Sequence, residues 1–281
     1  IAAGALQGGG YLGAAPRAEI LVVKLGLPDA NGFPRTTEIM RAVTWALRKA
    51  GEMKRPLAIN LSFGNCYGAH DGSSLLERFL DNAAEMGRTV ICVGSGNEGA
   101  SAGHVAGNVL DGAGGAAHGA VVELAVGEYE RSLRIQFWQH YSDVYRIFLR
   151  SPGGQESELT APVGGGKFTL VLEQTKILAY QGDPAPYATA KELYLEMLPT
   201  AGSYINSGVW RITVEPVRVV TGQYDLYLSD SASRNGRTQF YNPTPQATFT
   251  VPSTAARVIT VGAYDPTYDA YADFSGRGRE T

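Results

Sequence analysis

The hydrophobic period of the chain changes once, near residue 119, and that change limits the folds open to it. Before it, short continuous apolar runs alternate with stretches of helical spacing. Glu19-Ile20-Leu21-Val22-Val23-Lys24, Leu57-Ala58-Ile59-Asn60-Leu61 and Thr89-Val90-Ile91-Cys92-Val93 have the composition of strands buried on both faces. Between them, Ile39, Val43, Ala46, Leu47 and Ala50 form one helical stripe over residues 36–50. Thr36 or Thr37 is expected to cap its start and Gly51 to end it. Leu75, Leu76, Phe79, Leu80 and Ala83 make a second stripe, from Ser73 to Met86, with Gly87 as the stop. A β-α-β-α-β order with short connections predicts a parallel sheet.

From residue 119 the period becomes two. Val121–Val126, Leu133–Phe137, Val144–Leu149, Phe168–Leu172, Ile177–Tyr180, Leu193–Met197, Gly208–Val214 and Gly222–Leu228 read as strands. The alternation is clearest in Leu133, Ile135, Phe137 and in Trp210, Ile212, Val214. Turn sequences such as Ser151-Pro152-Gly153-Gly154 and Arg234-Asn235-Gly236 separate them. Eight such strands without a helical stripe predict a β-sandwich of the jelly-roll kind. Arg257-Val258-Ile259-Thr260-Val261-Gly262 then returns to the parallel-strand pattern. The expected fold class is therefore α/β with an inserted all-β sandwich, divided as 1–118, 119–245 and 246–281.

A net charge of −3 and the absence of any Lys/Arg run argue against a nucleic-acid partner. No apolar run approaches the roughly 20 residues of a membrane span. Two cysteines, Cys66 and Cys92, do not make a disulfide framework and fit a reducing compartment. Ile1-Ala2-Ala3-Gly4 has no charged n-region and is not an intact signal peptide, and the chain starts without Met and stops within a pattern at Gly276-Arg277-Gly278-Arg279-Glu280-Thr281, so a fragment is expected.

In open parallel sheets, ligands bind beyond the carboxyl ends of the strands. Two segments sit there: Ser62-Phe63-Gly64 and Gly94-Ser95-Gly96-Asn97-Glu98-Gly99. Glycines let the second turn sharply and approach another chain closely. An asparagine held at that edge offers a side-chain N–H that can stabilise the oxyanion of an acyl-transfer intermediate. The plainer alternative is an ordinary strand-to-loop turn, with Asn97 tolerated for its left-handed preference.

The motif resembles the Ala-Ala-Gly-Asn-Glu-Gly of the subtilisin-like serine proteases, and the likeness extends along the chain. Gly13-Ala14-Ala15-Pro16-Arg17-Ala18-Glu19-Ile20 with Val22-Val23-Lys24, Ile59-Asn60-Leu61-Ser62-Phe63-Gly64, Val251-Pro252-Ser253-Thr254 with Val258-Ile259-Thr260-Val261-Gly262-Ala263, and Ala272-Asp273-Phe274-Ser275-Gly276 follow the family's order. The resemblance implies that Asn97 is the oxyanion-hole donor. It also implies that Gly94, Ser95 and Gly96 wall the S1 pocket, and that Ser62, Phe63 and Gly64 pair with an extended peptide substrate. A protein or peptide substrate, and a propeptide, are the implied partners. Calcium is common in the family, but no ligand cluster in the sequence is specific enough to name, and no other cofactor is expected. The β-rich insertion resembles the Csp-type subtilases of clostridial spores, which process a cortex-lytic enzyme in germination. Low cysteine use and the lack of a signal peptide within these residues favour a cytoplasmic or spore-associated location.

The departures bear directly on activity. The Asp-(Ser/Thr)-Gly, His-Gly-Thr-His-Val-Ala-Gly and Gly-Thr-Ser-Met-Ala motifs that carry the triad do not occur, and a triad works only as a unit. The expected parent is a serine endopeptidase whose Asp, His and Ser lie outside these residues; the alternative is a catalytically dead regulator. A carbohydrate module is a third reading, through Tyr141, Tyr187 and Tyr204, which are more simply core or turn residues. His104-Val105-Ala106-Gly107 echoes the histidine motif on the wrong side of Asn97. His70, His118 and His140 read as surface or loop residues. Ser95 lacks the helix that a hydrolase nucleophile elbow requires.

Overall fold

A computed structural model describes residues 12–25, 35–112, 115–160, 165–184, 186 and 188–279. Ile1-Ala2-Ala3-Gly4, Tyr187 and Glu280-Thr281 lie outside them. The first part contains helix α1 (Thr36–Glu52), strand β1 (Leu57–Leu61), helix α2 (Leu75–Glu85) and strand β2 (Thr89–Gly94). The start of α2 is set by a capping box: Ser74 Oγ accepts from the Glu77 amide, and the Glu77 carboxylate accepts from the Ser74 amide. The start of α1 departs from expectation. Arg35, extended at φ −62°, ψ 143°, occupies the N-cap without a side-chain bond. Thr36 is already inside the helix and does not cap it. Nor does Gly51 end it. The helix runs on to Glu52, whose carboxylate pairs with Lys49 at 2.8 Å, and the left-handed residue is Lys54.

β1 and β2 pair in parallel, Leu57 beside Thr89 through Leu61 beside Val93. Ile39 and Val43 of α1 and Leu76, Leu80 and Ala83 of α2 pack on Ile91 and Val93, so both helices cover one face of this sheet. The run at 19–24 is not the buried strand its composition predicts. Ile20 and Val22 are 63% and 82% exposed. Leu21, Val23 and Leu25 face β1 across a cavity of about 680 Å³. Among the described residues the run joins no sheet, and Ile20 and Val22 stay uncovered.

The chain then forms β3 (His104–Asn108), β4 (Ala120–Val126), β5 (Leu133–His140), β6 (Val144–Arg150), β7 (Glu156–Glu158), β8 (Gly166–Leu172), β9 (Thr175–Gln181), β10 (Ala190–Pro199), β11 (Gly208–Arg218), β12 (Gln223–Leu228) and β13 (Gln239–Phe240). Two antiparallel sheets result, ordered β3-β12-β5-β10-β9-β8 and β13-β4-β11-β6-β7. All eight expected strands are among them. Leu133, Ile135, Phe137, Trp210, Ile212 and Val214 are all buried, as their alternation predicts, in one core between the sheets. β3 lies in the first sheet, antiparallel to β12, so pairing in the sandwich begins at His104, ahead of the expected boundary at 119. β14 (Ile259–Val261) returns to the parallel sheet beside β2. A hairpin of β15 (Tyr264–Asp265) and β16 (Ala270–Tyr271) follows.

Asp143 fastens one end of the sandwich. Its carboxylate accepts from the amides of Val220, Thr221 and Gly222 and from the hydroxyls of Thr221 and Tyr145, all at 2.6–3.1 Å. Burial raises its pKa, but these donors outweigh burial and hold the group down at about 2. Truncating it leaves several buried donors unpaired. Asp143→Ala is expected to lower stability by about 3–5 kcal/mol in urea unfolding. A loss below about 1 kcal/mol contradicts this role.

Candidate functional site

The exits of β1 and β2 point the same way because the strands are parallel. What brings the exits together is a third segment between them. The Val251 amide and carbonyl pair with Asn65, at 2.9 and 3.1 Å. The Thr250 amide donates to the Ser95 carbonyl at 3.1 Å. Thr250 thus sits between the two exits, and both neighbours are glycines. A Cβ on Gly64 would lie 2.0 Å from Thr250 Oγ1, and one on Gly96 2.5 Å from it. Gly96 also needs its φ of +91°. The Gly276 amide closes the other side by donating to the Gly96 carbonyl at 3.0 Å.

Around this point the expected residues take different positions. Asn97 is exposed at the bend, Ser62 is exposed, and Phe63 and Gly64 are half-buried. A Cβ added to Gly94 would meet nothing within 4 Å, so Gly94 borders open space. Ser95 is 3% exposed, with its hydroxyl 3.2 Å from that of Ser275, which excludes a nucleophile elbow there. Thr250 was not singled out by sequence reasoning, although it immediately precedes Val251-Pro252-Ser253-Thr254. Its buried hydroxyl oxygen has no hydrogen-bond partner among the described residues.

Behind the rim, the loops dock on the outer face of the sandwich. Gln136 of β5 accepts from the Gly68 amide and donates to the Cys66 carbonyl. Tyr227 of β12 is stacked between His70 and His104, with ring centroids 3.9 and 4.4 Å away. His104 is 2% exposed, and both its ring nitrogens are engaged, with Asp225 at 2.9 Å and the Thr244 carbonyl at 3.0 Å, so neither is free to act as a base. His70 lies in a loop but is buried, against the expectation of a surface residue, because its ring fills the space over Tyr227. Tyr141 and Tyr204 are 55% and 42% exposed, outside the core, and Tyr204 meets Tyr129 edge-on.

The same seam gathers Cys66, Glu98 and Asp230. The Cys66 amide donates to Asp230 at 2.8 Å, and Ser231 donates to Glu98 at 2.8 Å. Burial, with the charges of Asp230 and Glu98, pushes the Cys66 thiol well above its ordinary pKa, and burial raises Asp230. No helix among the described residues is long and apolar enough to cross a membrane.

Two predictions follow from this packing. Gly64→Ala should destabilise by about 1–3 kcal/mol through its clash with Thr250, and Thr250→Gly should recover much of that loss in a double-mutant cycle; strict additivity would show that the two do not touch. His70 is held at about 4 by burial, which outweighs the carbonyls beside it. The unfolded chain therefore takes up this proton first, and stability falls as pH drops from about 6.5 to 4. The contribution is of the order of 3 kcal/mol. Urea unfolding of His70→Phe at pH 7 and pH 4.5 should show a smaller pH effect than the parent; an equal effect would exclude His70.

No family model matches the chain, and no curated protein matches it. Among solved structures, the chain is similar to the one described as the structure of the Clostridium perfringens CspB protease. The TM-score is 0.86 and the sequence identity 29%, over 100% of this chain and 56% of that one. The chain thus spans little more than half the length of that protease, and it shares the fold of the part it covers.

Proposed function

We propose that the chain is the middle part of a subtilisin-like serine endopeptidase. In this reading Ser62-Phe63-Gly64 and Gly94-Ser95-Gly96 cradle an extended peptide, and Asn97 donates to the oxyanion formed at the scissile carbonyl. The observation that carries it is the wedge of Thr250 between Gly64 and Gly96, which leaves the exits of β1 and β2 side by side with exposed Asn97 at their rim. An extended peptide laid beside 62–64 would bring a carbonyl toward residue 97, where a preorganised N–H is worth most as charge develops. The nucleophile and base come from triad motifs outside these 281 residues.

The finer parts of the reading have separate supports. With the β8–β9 hairpin and the two-residue edge strand β13 set aside, the sandwich strands numbered one to eight are β3, β4, β5, β6, β7, β10, β11 and β12. They then run 1-8-3-6 and 2-7-4-5, which supports a jelly roll inserted into the α/β part. Processing of a spore cortex-lytic enzyme is supported by the resemblance of the insertion to Csp-type subtilases and by the likeness to the CspB protease.

The 281-residue chain alone is expected to hydrolyse no peptide substrate; turnover that disappears on mutating one of its own residues would overturn the assignment. In the intact protease, Asn97→Ala should lower kcat about 10²–10³-fold with KM little changed, a size taken from loss of one oxyanion donor in a subtilisin. An unchanged kcat removes Asn97 from the role. Failure of a serine-directed fluorophosphonate to label the intact protein would assign it instead to the non-catalytic peptide-binding relatives.

A further inference from the structure

Cys66, Glu98 and Asp230 have no part in the peptide chemistry, yet one ligating atom from each lies within 4.8 Å of the others. They come from three places: the loop after β1, the residue beside Asn97, and the turn after β12. They are 5%, 9% and 6% exposed. Asp230 Oδ1 is held by the Cys66 amide, whereas buried Oδ2 has no hydrogen-bond partner among the described residues, and the only side-chain donor acting on this carboxylate there is the weak one of the Cys66 thiol. A carboxylate oxygen left without a donor at such depth is expensive.

The local charge balance points the same way. Glu98, Asp230 and Glu130 are three buried carboxylates, and Arg234 is the buried cation beside them. Arg234 turns its N–H groups to the carbonyls of Ser229, Thr238 and Ser101 rather than to the acids. Glu130 is satisfied by the Thr238 hydroxyl and the Asn235 amide. Glu98 takes the amide and hydroxyl of Ser231, which are neutral donors. A small cavity of about 10 Å³, lined in part by Cys66 and Glu98 but not by Asp230, lies to one side of the cluster. That is about the smallest space that holds one water, which would be the non-protein ligand.

We propose that Cys66, Glu98 and Asp230 bind one divalent cation of the zinc class, with water as fourth ligand, and that the ion ties the sandwich to the loop carrying Asn97. A thiolate with two carboxylates suits zinc or cobalt, whereas calcium and magnesium prefer oxygen alone. Zn–S and Zn–O bonds of about 2.3 and 2.0 Å put ligand atoms about 3.5 Å apart, a short closing movement from the present spacing. On binding, Cys66 loses its thiol proton to solvent as the S–metal bond forms. The claim concerns binding and stands apart from whether the protein is a protease.

The test needs no activity. The whole chain is stripped with a chelator and titrated with Zn(II) or Co(II). One ion per chain is expected, with a thiolate-to-cobalt charge-transfer band in the Co(II) form. Cys66→Ser should lose the band and bind zinc about tenfold or more weakly, whereas Cys92→Ser should change neither. Zinc at a hundred times its Kd should raise the ratio of folded to unfolded protein about 100-fold. If Cys66→Ser does not fold, the unmutated chain decides: zinc should slow modification of Cys66 by a thiol reagent and leave Cys92 unaffected. No charge-transfer band, thiol reactivity indifferent to zinc, or displacement of zinc by an equal concentration of calcium would each overturn the site.

Discussion

The close approach of Thr250 to Gly64 and Gly96 is the contact on which the arrangement turns. Three stretches far apart in sequence meet there: the exit of β1, the exit of β2 and the segment entering β14. Each is anchored by backbone hydrogen bonds, and the approach is open only because two side chains are absent. Adding either Cβ forces backbone or core to move, since close-packed interiors have little room to yield. The exposed position of Asn97 and the open space at Gly94 both depend on this closure.

The second constraint is the polar seam between the parallel-sheet loops and the sandwich. Gln136 and Tyr227 belong to strands whose other face builds the apolar core, and Asp230 and Ser231 lie in the turn just after β12, so the sandwich offers this outer side to the loops that carry Asn97 and Glu98. A buried polar seam of this kind fixes orientation more than it adds stability, because each group needs a partner in one geometry. Asp143 plays a comparable part at another corner of the sandwich, gathering the turn at 220–222 around one carboxylate.

The regular elements were legible because their periods are local. Leu133, Ile135 and Phe137 alternate in sequence and are buried together; Ile39 and Val43 share a helical stripe and pack on one sheet. β3 was not legible, since His104-Val105-Ala106-Gly107-Asn108 has small residues and no alternation, and only its pairing with β12 makes it a strand. The run at 19–24 misled in the opposite sense, since its apolar composition says that it should be covered and nothing in its sequence says by what. At the candidate site, the glycines and Asn97 were visible as a motif. Thr250 and the Cys66–Glu98–Asp230 cluster were not, because residues such as Cys66 and Asp230, 164 positions apart, come together only through the fold.

The central claim is that one rim, formed by residues 62–64 and 94–97, receives an extended peptide. Backbone and asparagine side-chain amide resonances of the isotope-labelled chain, followed during titration with an unstructured peptide, test it most directly. The account predicts shifts concentrated at Ser62, Phe63, Gly64, Gly94, Gly96 and the Asn97 side chain, with the sandwich core unmoved. Shifts confined to the surface around Tyr141 and Tyr204, with residues 62–64 and 94–97 unchanged, would contradict it.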